Sequence, residues 1–161
     1  VNSIRIKYLY GTPNSVFRIA PAGNFCTKVG FMIRKMADDN LKSLLPYTNP
    51  DKYGLNQMIS DIYFDELPEG SFLKTSQDMV GFYKKDMREE EAVELFKTVV
   101  SNLTNCMELK LRKDTDKPDL KNFYFNVPPS PGDKKKVLLL LLFDKNKSSG
   151  YYTVRLDIGC Y

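Results

Sequence analysis

The sequence contains no histidine. That absence removes the imidazole general base, the imidazole metal ligand and the ordinary pH switch near neutrality. Ser-His-Asp and Cys-His catalysis within this chain go with it, as do zinc sites built on histidine. Cysteine is scarce. Cys26, Cys106 and Cys160 stand far apart and no CxxC occurs, which excludes zinc-ribbon and thioredoxin-like chemistry. Gly11, Gly23, Gly30, Gly54 and Gly70 are isolated, so the chain has neither a phosphate-cradling loop nor a dinucleotide fingerprint. The unbroken apolar run Val137–Phe143 has seven residues, far short of the roughly 20 that a membrane-spanning helix needs. These exclusions leave no cofactor and no metal to expect, and they weigh against an enzyme. Lysine, tyrosine and carboxylate chemistry stays open.

At 161 residues the chain has the size of one domain, residues 1–161, and can bury a core without staples. Apolar content of 42% argues against general disorder. The net charge is only +4, but it is segregated. Residues 1–60 carry eight basic and three acidic groups, residues 61–109 five and eleven, and residues 110–161 eleven and six. If the fold keeps these segments apart, the protein has an acidic and a basic face. The chain opens on Val1 and not on Met, from which we expect a processed product or an excised domain.

The stretch Val137–Asp157 organises the reading: seven apolar residues, a polar loop, then Tyr151, Thr153, Val154 and Leu156. It reads as a β-hairpin whose first strand is central in a sheet, either buried on both faces or a core strand under a helix. Its second strand is expected at an edge, held there by Cys160. Lys134, Lys135 and Lys136 stand before it as gatekeepers of an aggregation-prone run. Upstream, alternation over Ser3–Tyr10 and Val16–Ala20 predicts a hairpin, and Phe25–Ile33 reads as a third strand. Asp38 or Asp39 is expected to cap a short helix through Leu45. Tyr47–Gly54 reads as a loop, and Leu55, Met58, Ile59 and Ile62 recur at helical spacing. Met79–Tyr83 is expected as a strand. The clearest helix follows, with Asp86 as N-cap and Glu89 completing a capping-box variant. Val93, Phe96, Val100, Leu103 and Met107 form its stripe. Lys110–Leu120 reads as a charged, exposed linker, and Phe123–Val127 as a strand. The sum is an α+β fold: an antiparallel-rich sheet of about five to seven strands, with one long amphipathic helix (about 87–109) packed on it.

Four sets of residues are functional candidates. Lys7, Tyr8, Tyr10, Lys121, Tyr124, Lys134, Lys135, Lys136, Tyr152 and Arg155 mix cations with flat rings, as single-stranded nucleic-acid binding requires. The competing explanation is that the rings are strand formers in a core and the lysines its wet face. Asn102-Leu103-Thr104 and Asn146-Lys147-Ser148 are N-glycosylation sequons, the second in an expected hairpin loop. Cys26, Cys106 and Cys160 are disulfide candidates, and their odd number leaves one thiol over. Asp61, Asp65, Glu66 and Glu69 cluster as acids do on solvated helix ends, without calcium-loop spacing.

The expectation that follows is a non-enzymatic protein-interaction domain of a processed product that is secreted, surface-exposed or virion-associated. A protein is the expected partner, and no transmembrane segment is expected. A single-stranded nucleic-acid-binding domain and a lipid or small-ligand carrier are the alternatives. The lysine-, asparagine-, aspartate- and tyrosine-rich composition fits an AT-rich genome, such as those of some viruses and parasites.

Overall fold

The computed structural model describes residues 4–6, 17–21, 24–39, 48–50, 56–58, 64–74, 78–106, 108–133 and 135–160. Lys7, Tyr8, Tyr10, Asp61, Met107 and Lys134 lie outside the described residues, as does the turn at 11–14. The fold is α+β. A short antiparallel pair, β1 (Ile4–Ile6) and β2 (Phe17–Pro21), leads into helix α1 (Phe25–Asp39). Then come β3 (Thr48–Pro50), β4 (Asn56–Met58), β5 (Gly70–Lys74) and β6 (Met79–Met87). Helix α2 (Glu89–Cys106) follows, and then β7 (Lys110–Lys117), β8 (Leu120–Asn126), β9 (Val137–Lys145) and β10 (Tyr152–Cys160).

Among the described residues, the main sheet has eight strands in the order β3-β4-β5-β6-β10-β9-β8-β7, every neighbour antiparallel. The described elements thus run through one order twice: a helix, then a four-stranded meander. The last strands of the two meanders, β6 and β10, pair at the centre of the sheet. That pairing needs the non-local connection made by α2, which carries the chain from β6 to the far edge at β7.

Both helices pack on one face. Val29, Met32, Ile33 and Met36 of α1 share a core with Ala92, Phe96, Val99 and Leu103 of α2. The sheet supplies Val80, Phe82, Phe125, Leu139, Leu141, Phe143, Val154, Leu156 and Ile158 to that same core. Ring contacts bind the layers: Phe96 lies edge-on to Phe123 at 4.9 Å and to Phe143 at 5.6 Å. Phe64 bridges Phe25 at 5.0 Å and Phe82 at 4.7 Å.

Several expectations are corrected. Phe25–Ile33 is helix and not strand. Phe25, Val29 and Ile33 have the same parity, which suits a strand, but they also lie four apart, and Met32, Met36 and Ala37 complete the helical stripe. Asn24 caps this helix by accepting a hydrogen bond from the Thr27 backbone N–H at 2.9 Å. Asp38 and Asp39 are the last two residues of α1, and residues 40–45, where a helix was expected to follow, lie outside the described residues. Residues 48–50 and 56–58, expected as loop and helix, are the strands β3 and β4.

The expected linker Lys110–Leu120 is the edge strand β7, the turn Pro118-Asp119 and the start of β8. Its charges are what an edge strand carries to resist pairing with another chain. Asp86 does not cap α2. It sits in a bulge of β6 with φ 58°, where the register against β10 shifts, and the kink turns Met87 into the core. The α2 stripe is also rotated from expectation: Ala92 and Val99 are buried, while Val93 and Val100 are only half-buried. Finally, β10 is no edge strand. It lies between β6 and β9, and hydrogen bonding along both sides holds the chain end.

Candidate functional site

The leucine run fits a strand buried on both faces or a core strand under a helix, and the structure shows the second. Along β9, Val137, Leu139, Leu141 and Phe143 are buried under the helices, whereas Leu138, Leu140 and Leu142 are half-buried on the opposite face. No helix among the described residues packs on that outer face. The register builds it row by row. Tyr124, Leu140, Asp157, Gly81 and Phe72 stand side by side across β8, β9, β10, β6 and β5. Asn122, Leu142, Arg155 and Tyr83 form a second row, and Asn126, Leu138, Gly159 and Met79 a third.

The centre of this face is a glycine for a steric reason. A Cβ on Gly81 would overlap the ring of Phe72 and stand 2.8 Å from Asp157 Oδ1. Phe72 can lie over β6 because Gly81 leaves room, and it reaches toward Tyr83 at 6.4 Å between ring centroids. Beside it, Asp157 is 4% exposed, accepts a hydrogen bond from Arg155 Nε at 3.1 Å and forms an ion pair with Arg155 Nη2 at 3.0 Å. The two residues are neighbours on one strand face, so β10 geometry presents the pair without help from a loop. A shallow cleft of about 200 Å³ opens among Met79, Tyr124, Leu138, Leu140, Gly159 and Cys160. On the β7 side, the Arg112 guanidinium lies 4.6 Å from the centre of the Tyr124 ring. The face is an apolar sheet surface with two arginines set into it.

The basic and aromatic candidates among the described residues do not form one surface. Lys121 and Tyr124 are three apart on β8 and point to opposite faces. Tyr152 is a core residue, 5% exposed, with its ring 5.1 Å from Phe143. Lys135 pairs with Asp78 at 3.6 Å, Lys136 is exposed, and Arg155 belongs to the outer face. Arg112, Met79, Phe72 and Gly81 were not recognised from the sequence. Alternation on β7 would have put Arg112 and Tyr124 on the same face, had residues 110–117 been read as strand.

Cys26 and Cys106 form a disulfide that ties the start of α1 to the end of α2. Cys160 keeps its thiol and lines the outer cleft. Burial, followed by the charge of Asp78, raises its pKa, which leaves little thiolate at neutral pH. Of the sequons, Asn146 is exposed in the β9–β10 turn, where its side-chain oxygen accepts hydrogen bonds from the Ser148 and Ser149 N–H groups. Asn102 is half-buried on α2 and donates to Glu66 Oε2 at 3.5 Å. The acidic group is dispersed: Asp65 faces Lys28 at 4.0 Å, and Glu69 accepts from the Lys85 N–H at 3.2 Å. No three acidic or cysteine side chains among the described residues gather as a metal site.

Two surface carboxylates titrate low. Asp116 is held below the ordinary value of 3.8 by the hydrogen bond from Lys121 at 2.7 Å. Asp133 is held low by the Ser130 N–H at 2.8 Å and then by Arg34, also at 2.8 Å, which ties α1 to the loop before β9. A carboxylate whose folded pKa lies below its unfolded one stabilises the fold above the unfolded value. That contribution is lost as pH falls through the folded value. The stabilisation these two carboxylates supply is therefore expected to persist from neutrality to near pH 3.8 and to be lost below it, lowering the melting temperature. In the Asp116→Asn, Asp133→Asn double variant the drop is expected to be shallower, as scanning calorimetry across pH would show.

No family model matches this sequence, and neither a curated protein nor a solved structure matches it.

Proposed function

We propose that this protein is a non-enzymatic binding module that engages a partner protein through the outer face of its sheet. One observation carries the reading: a fold that places both helices on one side leaves Leu138, Leu140 and Leu142 half-buried on the other, beside Met79, Tyr83, Tyr124 and Arg112. Tyrosine, methionine and arginine are the side chains that protein interfaces enrich. Half-buried apolar side chains set among polar ones fit such a surface. The arrangement suits stacking on nucleic acid less well, because Lys121 points to the opposite face and Lys135 is paired with Asp78.

The Cys26–Cys106 disulfide supports an oxidising compartment, and hence a secreted or surface-exposed product. The exposed Asn146 sequon supports a glycan at the β9–β10 turn, pointing away from the helices' core. Composition supports a viral or parasite source.

The test places a photo-crosslinking residue at position 140, and at the exposed position 88 as control, and exposes both proteins to extracellular fluid or surface extract. The reading expects one saturable adduct from position 140 and none from position 88. Unlabelled wild type should compete, and Leu140→Asp should not. Equal adducts from both positions, or no competition, would reject it.

A further inference from the structure

A second open site lies on the other side of the molecule, and it does not depend on the protein-binding reading. Because the α2 stripe is rotated, Val93 and Val100 pack against the margin of the core and stay half-buried. Between this flank of the helix and the edge strands β7 and β8 runs a groove of about 570 Å³. Its floor is apolar: Val93, Val100, and the rings of Phe96 and Phe123. The volume falls within the range of small-molecule sites, about 300–1,000 Å³.

The rim gives the ligand's charge. Lys97 stands on the helix side, and Lys113 and Lys121 on the strand side. Lys121 is neutralised by Asp116 at 2.7 Å. Neither Lys97 nor Lys113 is ion-paired with a described residue, and Lys113 lies over the Phe123 ring at 5.2 Å. Against these two cations the rim sets one further acid, Glu89 in the first turn of α2. A lysine over an aromatic floor can meet a carboxylate with its ammonium while its stem covers the ligand's chain.

We propose that this groove binds an amphipathic carboxylate of the medium-chain fatty-acid class. The chain lies on Val93, Val100 and Phe123, and the carboxylate meets the ammonium groups of Lys97 and Lys113. No covalent step is involved.

The experiment is a methyl-resolved NMR titration of the whole protein with monomeric dodecanoate. Saturable shifts are expected at the Val93 and Val100 methyls and not at Leu138, Leu140 or Leu142. The Lys97→Glu, Lys113→Glu double variant should weaken binding by about tenfold or more, the scale of a lost charge-assisted contact. Val100→Gln, which keeps the charges and wets the floor, should weaken it as well, and thermal melts verify that each variant is folded. Three results overturn the proposal: no saturable shift at the two valines, equal affinity for dodecylamine, or unchanged affinity in the double lysine variant. Failure here leaves the outer-face reading standing, since position 140 lies on the opposite side of the sheet.

Discussion

Replacing Cys26 and Cys106 together by alanine is expected to lower the unfolding free energy by roughly 4 kcal/mol. The bridge closes a sequence separation of 80 residues, and chain-entropy bookkeeping for a loop of that length gives this magnitude. For a domain whose whole stability is of order 5–15 kcal/mol, that is a large share. The melting temperature should fall by roughly 10 °C. The structural reason is that the bridge joins elements distant in the chain. Cys26 opens α1 and Cys106 closes α2, and the two helices meet over the inner face of the sheet. Cys160→Ser should be nearly silent by comparison, because β10 is held on both sides by backbone pairing. Urea titrations of the three proteins give the comparison. A loss below about 1 kcal/mol in the double alanine variant would mean that the unfolded chain gains little freedom when the bridge is gone.

The second large effect separates adjacent leucines. Leu141→Asp is expected to prevent folding, because it puts a charge where the side chain is 0% exposed, and an unpaired buried charge costs more than the domain can supply. Leu142→Asp, one residue on, should change stability by no more than about 1 kcal/mol. Its side chain faces outward, opposite Arg155 on β10, which can receive the new carboxylate. The same substitution should cost the partner interaction about 2 kcal/mol or more, the threshold for a central interface residue. Far-UV circular dichroism separates the first outcome. Competition in the position-140 crosslink measures the second. A folded Leu141→Asp variant, or an unfolded Leu142→Asp variant, would invert the assignment of the two sheet faces.

These two pairs also show where the sequence was informative. Periodicity placed the long helix within two or three residues at each end, and the strand character of Val137–Phe143 was plain. Which leucines face the core was not legible, because a run with leucine on both parities looks the same from either side of a sheet. Only register against Tyr124 and Asp157 settles it. Phe25–Ile33 misled because apolar residues four apart satisfy period 2 and period 3.6 together. Lys110–Lys117 misled because edge strands are charged for reasons unrelated to loop composition. The odd cysteine was foreseen, but which one stands alone depends on how α1 meets α2, and that is tertiary information. One of the two outer-face arginines, Arg112, lay inside the stretch misread as a linker and was hidden by that error.

On the proposed function, the outer sheet face is accessible in the protein alone and covered in its complex. Hydroxyl-radical footprinting, read by peptide mass, tests it directly. Leu138, Leu140, Leu142 and Tyr124 should be oxidised in the isolated protein, while Leu139, Leu141 and Phe143 stay unmodified. The first set should then become protected once the partner is bound. Outer leucines that are silent in the isolated protein, or equally oxidised with and without the partner, would contradict it.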